Sequence, residues 1–204
     1  MGLDVEDGRI AIDAMTIGAV KLTSVTLRAT TFMRGLGTGA PSGVMSASWF
    51  PKSLVTFDFP RHTLTIAPGA LPAPDDRTIF ACDPSSLLPT IPVSVAGHAF
   101  TLHLDTGSPG GVMLPMAAST LVPLAGPLTD APPARTMAGA FEVRVAPVKG
   151  DVTIGRFAID AGPVRFSDLR PGPGPAPGNI GAQALRSFAL TYDSTNRRVK
   201  LTRD

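Results

Sequence analysis

The segment Phe100-Thr101-Leu102-His103-Leu104-Asp105-Thr106-Gly107-Ser108 decides how this chain is interpreted. Its apolar and polar residues alternate up to Leu104, which is the period of a half-buried β-strand. The strand ends in an acidic residue, Asp105, and a second apolar run, Val112-Met113-Leu114, follows directly after the pair Gly110-Gly111. An Asp in such a place can simply begin a β-turn by binding the backbone two residues on. Its position between two apolar strands nevertheless makes Asp105 the leading candidate for chemistry.

Short alternating runs recur on both sides of this segment, and they predict an all-β fold with short helices. The chain contains 21 Gly and 21 Pro in 204 residues, which suits many strands joined by turns. Hairpin turns are predicted at Gly18, Ser24 and Pro60-Arg61. Short helices are predicted at residues 46–53, 116–121 and 182–187, and loops at residues 33–44, 123–135 and 170–178.

Composition excludes several functional classes. The net charge is only +2, and no run of Lys or Arg concentrates it, so we expect no nucleic-acid partner. A single cysteine, Cys82, excludes an internal disulfide and a multi-cysteine metal site. The three histidines have no metal-ligand spacing, so we expect no metal and no cofactor. No apolar run approaches the ~18 residues that span a bilayer, so we expect no membrane span.

The two halves of the chain repeat one another. Residues 54–58 match residues 189–193 at a shift of 135 positions (193 − 58), and residues 15–18 match residues 152–155 at a shift of 137 (155 − 18). Two blocks in the same order at nearly one shift indicate duplication. We therefore predict that residues 1–67 are the C-terminal part of a first lobe, that residues 68–78 are a linker, and that residues 79–204 are a complete second lobe.

With these features the chain resembles the aspartic peptidases of the retropepsin-like superfamily, especially its small bacterial members. The resemblance rests on the strand leading into Asp105-Thr106-Gly107-Ser108, on the step Ile180-Gly181 before a short helix, and on the closing strand pair at residues 188–201. It covers nearly the whole chain. It implies acid-protease β-barrel lobes, two of them and related, with the first truncated, and it implies endopeptidase activity on peptide or protein substrates.

The resemblance also assigns roles to individual residues. Such enzymes activate water between two carboxylates that share one proton, and Asp105 would be one of them. Gly107 would let backbone amides approach the carboxylate, Ser108 would bind its outer oxygen, and Thr106 would brace the two lobes. The resemblance further implies a flap, a hairpin closing over substrate, at residues 135–141. Its tip is predicted at Met137, Ala138, Gly139 and Ala140.

The chain departs from this family in one respect, since it has only one Asp-Thr-Gly. The shift of 135 would place the second Asp-Thr-Gly before Met1. In the first half, Met45-Ser46 stands at the positions that correspond to Ile180-Gly181. Three explanations stay open: a catalytic segment upstream, a homodimer sharing two Asp105 side chains, or a non-catalytic pseudo-peptidase that binds peptides or partner proteins. We favour the first. Localisation stays open too, and an export signal upstream of Met1 would fit an exported or periplasmic protein.

Overall fold

The computed structural model describes residues 8–28, 43–86, 88–136, 139–168 and 178–203. The chain divides into two units, Met1–Ser46 and Ala47–Asp204. In the first unit, β1 (Arg9–Ile17) and β2 (Val20–Arg28) form an antiparallel hairpin around Gly18. The turn predicted at Ser24 is wrong. Ser24 lies within β2, where its φ of 54° interrupts the pairing without reversing the chain.

The second unit is also built mainly of strands, so the all-β prediction is confirmed. Its strands are β3 (Ser53–Asp58), β4 (Thr63–Pro68), β5 (Ile79–Ala81), β6 (Thr90–Val95), β7 (His98–Asp105), β8 (Val112–Leu114), β9 (Thr129–Thr136), β10 (Gly139–Ala146), β11 (Val152–Ile154), β12 (Phe157–Ala158), β13 (Val164–Phe166), β14 (Asn179–Gly181), β15 (Ala189–Asp193) and β16 (Arg198–Thr202). Among the described residues of this unit, two 3-10 turns (Ala47–Trp49 and Met116–Thr120) and one α-helix, α1 (Ala182–Leu185), interrupt the strands. In the described part of the chain, no helix is long and apolar enough to cross a membrane.

A nine-stranded sheet with the order β12-β11-β6-β7-β14-β8-β13-β10-β9 carries the candidate site. Strand β14 lies at its centre, parallel to β7 and antiparallel to β8. Of these central strands, β8 is buried throughout and reads as an apolar run, whereas β7 is only partly buried and reads as an alternating strand. Their core residues include Leu102, Val112, Leu114 and Ile180, all at most 1% exposed.

The edge strand β9 corrects the sequence prediction of a proline-rich loop over residues 123–135. It pairs with β10, and a register shift leaves Pro132 and Pro133 opposite the single residue Glu142. Proline cannot donate to a sheet ladder, but a bulge on an edge strand tolerates it. The prolines therefore mark a bulged edge strand rather than the absence of a strand.

A five-stranded sheet, in the order β4-β3-β15-β16-β5, combines strands from both halves of the sequence. Strands β3 and β15 are the matched blocks of the repeat, and they pair antiparallel with Thr56 opposite Thr191. The two threonine hydroxyls are hydrogen-bonded at 2.9 Å across a sequence separation of 135, which is the repeat shift itself. The β3–β4 and β15–β16 hairpins are thus placed on either side of one local two-fold axis.

Backbone conformation repeats at the same shift. His62 and Arg197, 135 positions apart, have φ values of 53° and 51° in the two matched turns. A helical turn precedes each hairpin and closes with equivalent bonds: Ser53 N–H donates to Phe50 O at 3.2 Å, and Phe188 N–H donates to Leu185 O at 2.9 Å. These matched conformations do not follow from residue identity, because His and Arg differ chemically and positive φ is uncommon for residues other than glycine.

Candidate active site

The loop after β7 folds the Asp105 carboxylate back over its own backbone. Gly107 N–H donates to Asp105 Oδ1 at 3.1 Å, and Ser108 N–H donates to Asp105 O at 3.1 Å. The Asp105 side chain is half-buried. Gly107 has no positive φ, and a Cβ there would meet Asp105 Oδ1 at an ordinary 3.4 Å. The amide contact alone therefore does not explain the glycine at this position.

Strand β14 sets the position of Asp105. Ile180 pairs with Leu104, and Gly181 pairs directly with Asp105. Gly181 N–H donates to Gly111 O at 2.9 Å, which joins the loop to the neighbouring strand. A Cβ on Gly181 would lie 2.5 Å from Gly110 O and 2.6 Å from Ser108 O, distances that no side chain can occupy. Glycine is thus required at 181 by close backbone approach.

The start of α1 closes the same loop from the other side. Ala182 N–H donates to Ser108 O at 2.8 Å, and Gln183 N–H donates to Gly110 O at 3.1 Å. The first amides of a helix have no partner within it, so the loop carbonyls satisfy donors that would otherwise be unpaired. The step from Ile180-Gly181 into α1 and the segment from Asp105 to Gly111 consequently form one hydrogen-bonded substructure.

A second Asp-x-Gly turn shows what is specific to this arrangement. Gly162 N–H donates to Asp160 Oδ1 at 3.3 Å, the same local bond that Gly107 makes with Asp105. Asp160, however, is 70% exposed and forms an ion pair with Arg186. The strand before it, β12, is an edge strand that pairs antiparallel with β11. The Asp-x-Gly turn alone therefore does not identify a catalytic carboxylate. The pairing with Gly181 is what distinguishes Asp105 from Asp160.

Two of the predicted supporting residues lack the contacts that the resemblance implies. Thr106 is exposed. Ser108 Oγ makes no hydrogen bond to the Asp105 carboxylate within the described residues, and it lies 3.0 Å from the position a Gly181 Cβ would take. His103, two residues before Asp105, is half-buried and its Nε2 lies 3.2 Å from Ser86 Oγ. His103 is thus held by a neighbouring loop.

The predicted flap falls on the hairpin formed by β9 and β10. Gly139 pairs with Thr136 and Ala140 with Arg135, so the chain does reverse there. Met137 and Ala138, predicted at the tip, lie outside the described residues. The guanidinium of Arg165 on β13 donates to Pro132 O on β9 at 3.5 Å, and its Cδ lies 3.6 Å from the position a Gly110 Cβ would take. Arg165 therefore bonds to the hairpin and lies beside the Asp105 loop.

Sequence reasoning missed three residues that position this substructure. A Cβ on Gly111 would lie 2.2 Å from Ala161 O, and one on Gly178 would lie 2.0 Å from Met113 O. The Gly110-Gly111 pair and the alignment of Gly178 with Gly43 were the available signals. No sequence pattern singled out Arg165, because an arginine on a short strand resembles any other polar strand residue.

Other candidate groups are structural. Burial raises the pKa of the Cys82 thiol, which keeps it protonated and unreactive near neutral pH. Asp58 and Asp193 both accept a hydrogen bond from the amide three residues on, as turn-initiating residues do. Within the described ranges, no group of three or more His, Cys, Asp or Glu side chains could hold a metal ion.

A half-buried carboxylate held at a fixed angle by the backbone can act as a general base on a bound water molecule. Peptide hydrolysis by this route needs a second carboxylate nearby. No protein-family model matches the chain, and no curated protein matches it.

Proposed function

We propose that this chain is part of a retropepsin-like aspartic endopeptidase with two related lobes, in which Asp105 is one of the two catalytic carboxylates. One observation carries the proposal. Asp105 ends strand β7, opposite a glycine of the parallel strand β14, in a loop whose carbonyl oxygens bind the first amides of α1. These bonds fix the backbone that carries the carboxylate, and catalysis requires a carboxylate that is positioned in advance.

The local two-fold axis at Thr56 and Thr191 supports the duplicated architecture. A two-fold arrangement is what brings two equivalent carboxylates face to face. The second carboxylate would come from a segment upstream of Met1 or from Asp105 of a second copy. An upstream segment agrees better with the local two-fold axis, because one chain already supplies both matched hairpins, one on each side of that axis.

In the proposed reaction, the ionised carboxylate takes a proton from water while the water oxygen attacks the scissile carbonyl carbon. The protonated partner donates a hydrogen bond to the carbonyl oxygen. A proton then passes to the leaving nitrogen as the C–N bond breaks. No metal or organic cofactor takes part. The β9–β10 hairpin would close over the substrate as the flap.

The test is cleavage of a denatured, fluorescently labelled protein between pH 4 and pH 7. Asp105→Asn should lower the rate at least about 100-fold, because the side-chain shape stays but the base is lost. Asp160→Asn is the matched control: Asp160 makes the same Asp-x-Gly bond, is 70% exposed and pairs with Arg186, so the rate should not change. Cleavage that survives Asp105→Asn would overturn the assignment.

The source of the second carboxylate has separate tests. An in-frame Asp-Thr-Gly or Asp-Ser-Gly encoded upstream of Met1 would supply it within one chain. For a homodimer, activity should rise with the square of concentration at low concentration, and mixing with Asp105→Asn chains should suppress it. A chain that is a strict monomer in sedimentation would exclude the homodimer.

One observation favours the alternative of a pseudo-peptidase that binds peptides without cutting them. The Ser108 hydroxyl does not bond to the Asp105 carboxylate within the described residues, although an active site of this type would use that contact. The alternative predicts saturable binding of a denatured protein that Asp105→Asn leaves unchanged, with no cleavage in either chain.

A further inference from the structure

The two edges of the five-stranded sheet are covered differently. On one edge, β5 pairs with β16, and Phe80 lies opposite Val199. Both of these side chains are fully buried. On the other edge, no strand among the described residues pairs with the outer side of β4. The difference is informative because the two hairpins flanking the local axis are otherwise equivalent.

The shift of 135 positions assigns each residue of β16 a counterpart on β4. Val199 corresponds to Leu64, since Val199 pairs with Tyr192 and Leu64 pairs with the matching Phe57. Val199 is 0% exposed beneath β5, whereas Leu64 is 49% exposed. Leu64 shares a sheet face with residues that contribute to the core, because alternate residues of paired strands share a face. Of this matched pair, the apolar side chain is uncovered on the edge that lacks a counterpart of β5.

Backbone groups are also unpaired at this edge. Cys82 N–H donates to Arg197 O at 2.9 Å and Leu201 N–H donates to Thr78 O at 2.9 Å, so residues 197, 199 and 201 face β5. Shifted by 135, the outward-facing backbone groups at this edge are the carbonyl of His62, just before β4, and the N–H and C=O groups of Leu64 and Ile66; the His62 N–H itself donates to Phe59 O at 3.3 Å. These groups have the spacing that an added antiparallel strand requires.

Strand β4 also lacks the features that usually protect an exposed edge. Its residues, Thr63-Leu64-Thr65-Ile66-Ala67-Pro68, include no charged side chain. Its register with β3 is unbroken from Thr63 to Pro68, so no bulge turns the edge away. Natural edge strands are usually protected by Lys, by a bulge or by a covering segment. Here only the terminal Pro68 would hinder pairing.

We propose that the outer edge of β4 is a docking surface for an extended segment with the chemistry of β5: uncharged, with an aromatic residue opposite Leu64 and an aliphatic residue next to it. The segment would add as a sixth strand, antiparallel to β4, and cover Leu64 as Phe80 covers Val199. The inference rests on the repeat and not on the chemistry of Asp105, so it stands or fails separately from the proposed activity.

The probe is a fluorescein-labelled peptide with the sequence of residues 77–83, carrying Cys82→Ser to avoid oxidation, titrated into the full chain. The chain's own β5 is covalently tethered at β16, so the free peptide should bind at β4 instead. We expect saturable binding and slowed amide exchange at Leu64 and Ile66. Binding that slows exchange at β16 alone, or no saturable binding, would overturn the proposal.

N-methylated peptides provide a matched pair that leaves the protein unchanged. The N–H of Phe80 faces the neighbouring strand, whereas the N–H of Ile79 bonds to Asp75 Oδ1 and faces away from it. Methylation at Phe80 should weaken binding at least tenfold, and methylation at Ile79 should change it less than threefold. Equal effects of the two methyl groups would contradict strand addition.

A second pair of variants tests the surface itself. Leu64→Lys should weaken binding at least tenfold by placing a charge on the edge. Leu88→Lys is the control, since Leu88 is similarly exposed at 48% and lies away from β4 in sequence. Dimerisation of the chain without peptide, abolished by Leu64→Lys but not by Leu88→Lys, would assign the edge to a second copy and overturn the proposed occupant.

Discussion

At the scale of single residues, glycines determine the backbone geometry around the half-buried Asp105. Gly181, Gly111 and Gly178 each stand where a Cβ would overlap a carbonyl oxygen. The motif glycine Gly107 does not. The sequence could single out Asp105 and Gly181, but it could not rank the glycines, because the cause lies in approaching backbone from distant strands.

Replacing Gly181 by Ala should therefore destabilise the protein by about 1–3 kcal/mol, as overpacking does in well-packed sites. The added Cβ would meet Gly110 O and Ser108 O at 2.5 Å and 2.6 Å, and both are backbone atoms that cannot rotate away. Gly107→Ala, with its nearest contact at 3.4 Å, should change stability by less than about 1 kcal/mol. Urea denaturation of both variants measures the difference, and equal losses would refute this account.

Asp193 is the buried charged side chain of the five-stranded sheet, 1% exposed. Burial by itself would raise its pKa, but hydrogen bonds from the Asn196 side chain and from the Asn196 and Leu71 amides hold the pKa below its usual value. Those bonds are 2.8 Å, 3.0 Å and 2.9 Å long. The bond from Leu71 also ties the segment after β4 to the end of β15.

Asp193→Asn should cost about 1–3 kcal/mol at pH 7, since the amide cannot accept all three bonds. Because the folded pKa lies below the unfolded value of about 3.9, the carboxylate's contribution is complete above that value and is lost as pH falls through the folded pKa. The stability gap between wild type and variant should narrow below pH 4. Urea denaturation at several pH values measures it, with exposed Asp130→Asn as control; a constant gap would contradict the assignment.

At the scale of elements, strand identity was easier to predict than strand ends or pairing partners. The alternation of residues 54–66 and 188–202 predicted both hairpins, which the structure confirms. The same reasoning wrongly predicted a loop at the position of β9. A proline shows that one backbone N–H is missing from the sheet's hydrogen bonds, but it does not show whether the strand lies at an edge, where that loss is tolerated. Pairing between β3 and β15 joins residues that are far apart in sequence, and no local pattern encodes it.

The bond between Thr56 and Thr191 provides a test of the local axis. Thr56→Val and Thr191→Val should destabilise the protein equally, because each removes one member of a symmetric hydroxyl pair. Each loss should be about 1 kcal/mol, and the double variant should lose about as much as either single one. Urea denaturation of wild type, the two single variants and the double variant gives the four free energies of unfolding that this double-mutant cycle needs. Unequal single losses or strict additivity would contradict an isolated, symmetric pair.

At the scale of the whole molecule, composition and periodicity predicted the all-β class, and the repeat predicted which hairpins would correspond. The predicted division at residues 68–78 followed from proline and charge content. The structure places β4 and β5, on either side of that segment, at opposite edges of one sheet. Composition could not reveal this arrangement, since it reports where a chain is extended and polar, not which strands meet afterwards.

The pairing of β3 with β15 also has a consequence for biosynthesis. The two threonines on the axis are separated by 135 residues, so β3 leaves the ribosome long before its partner exists. At about 5–20 residues per second, the interval is roughly 7–27 s. During that time the outer edges of both β3 and β4 present unpaired backbone groups. Exposed strand edges of this kind are bound by chaperones and can pair with other nascent chains, which leads to aggregation.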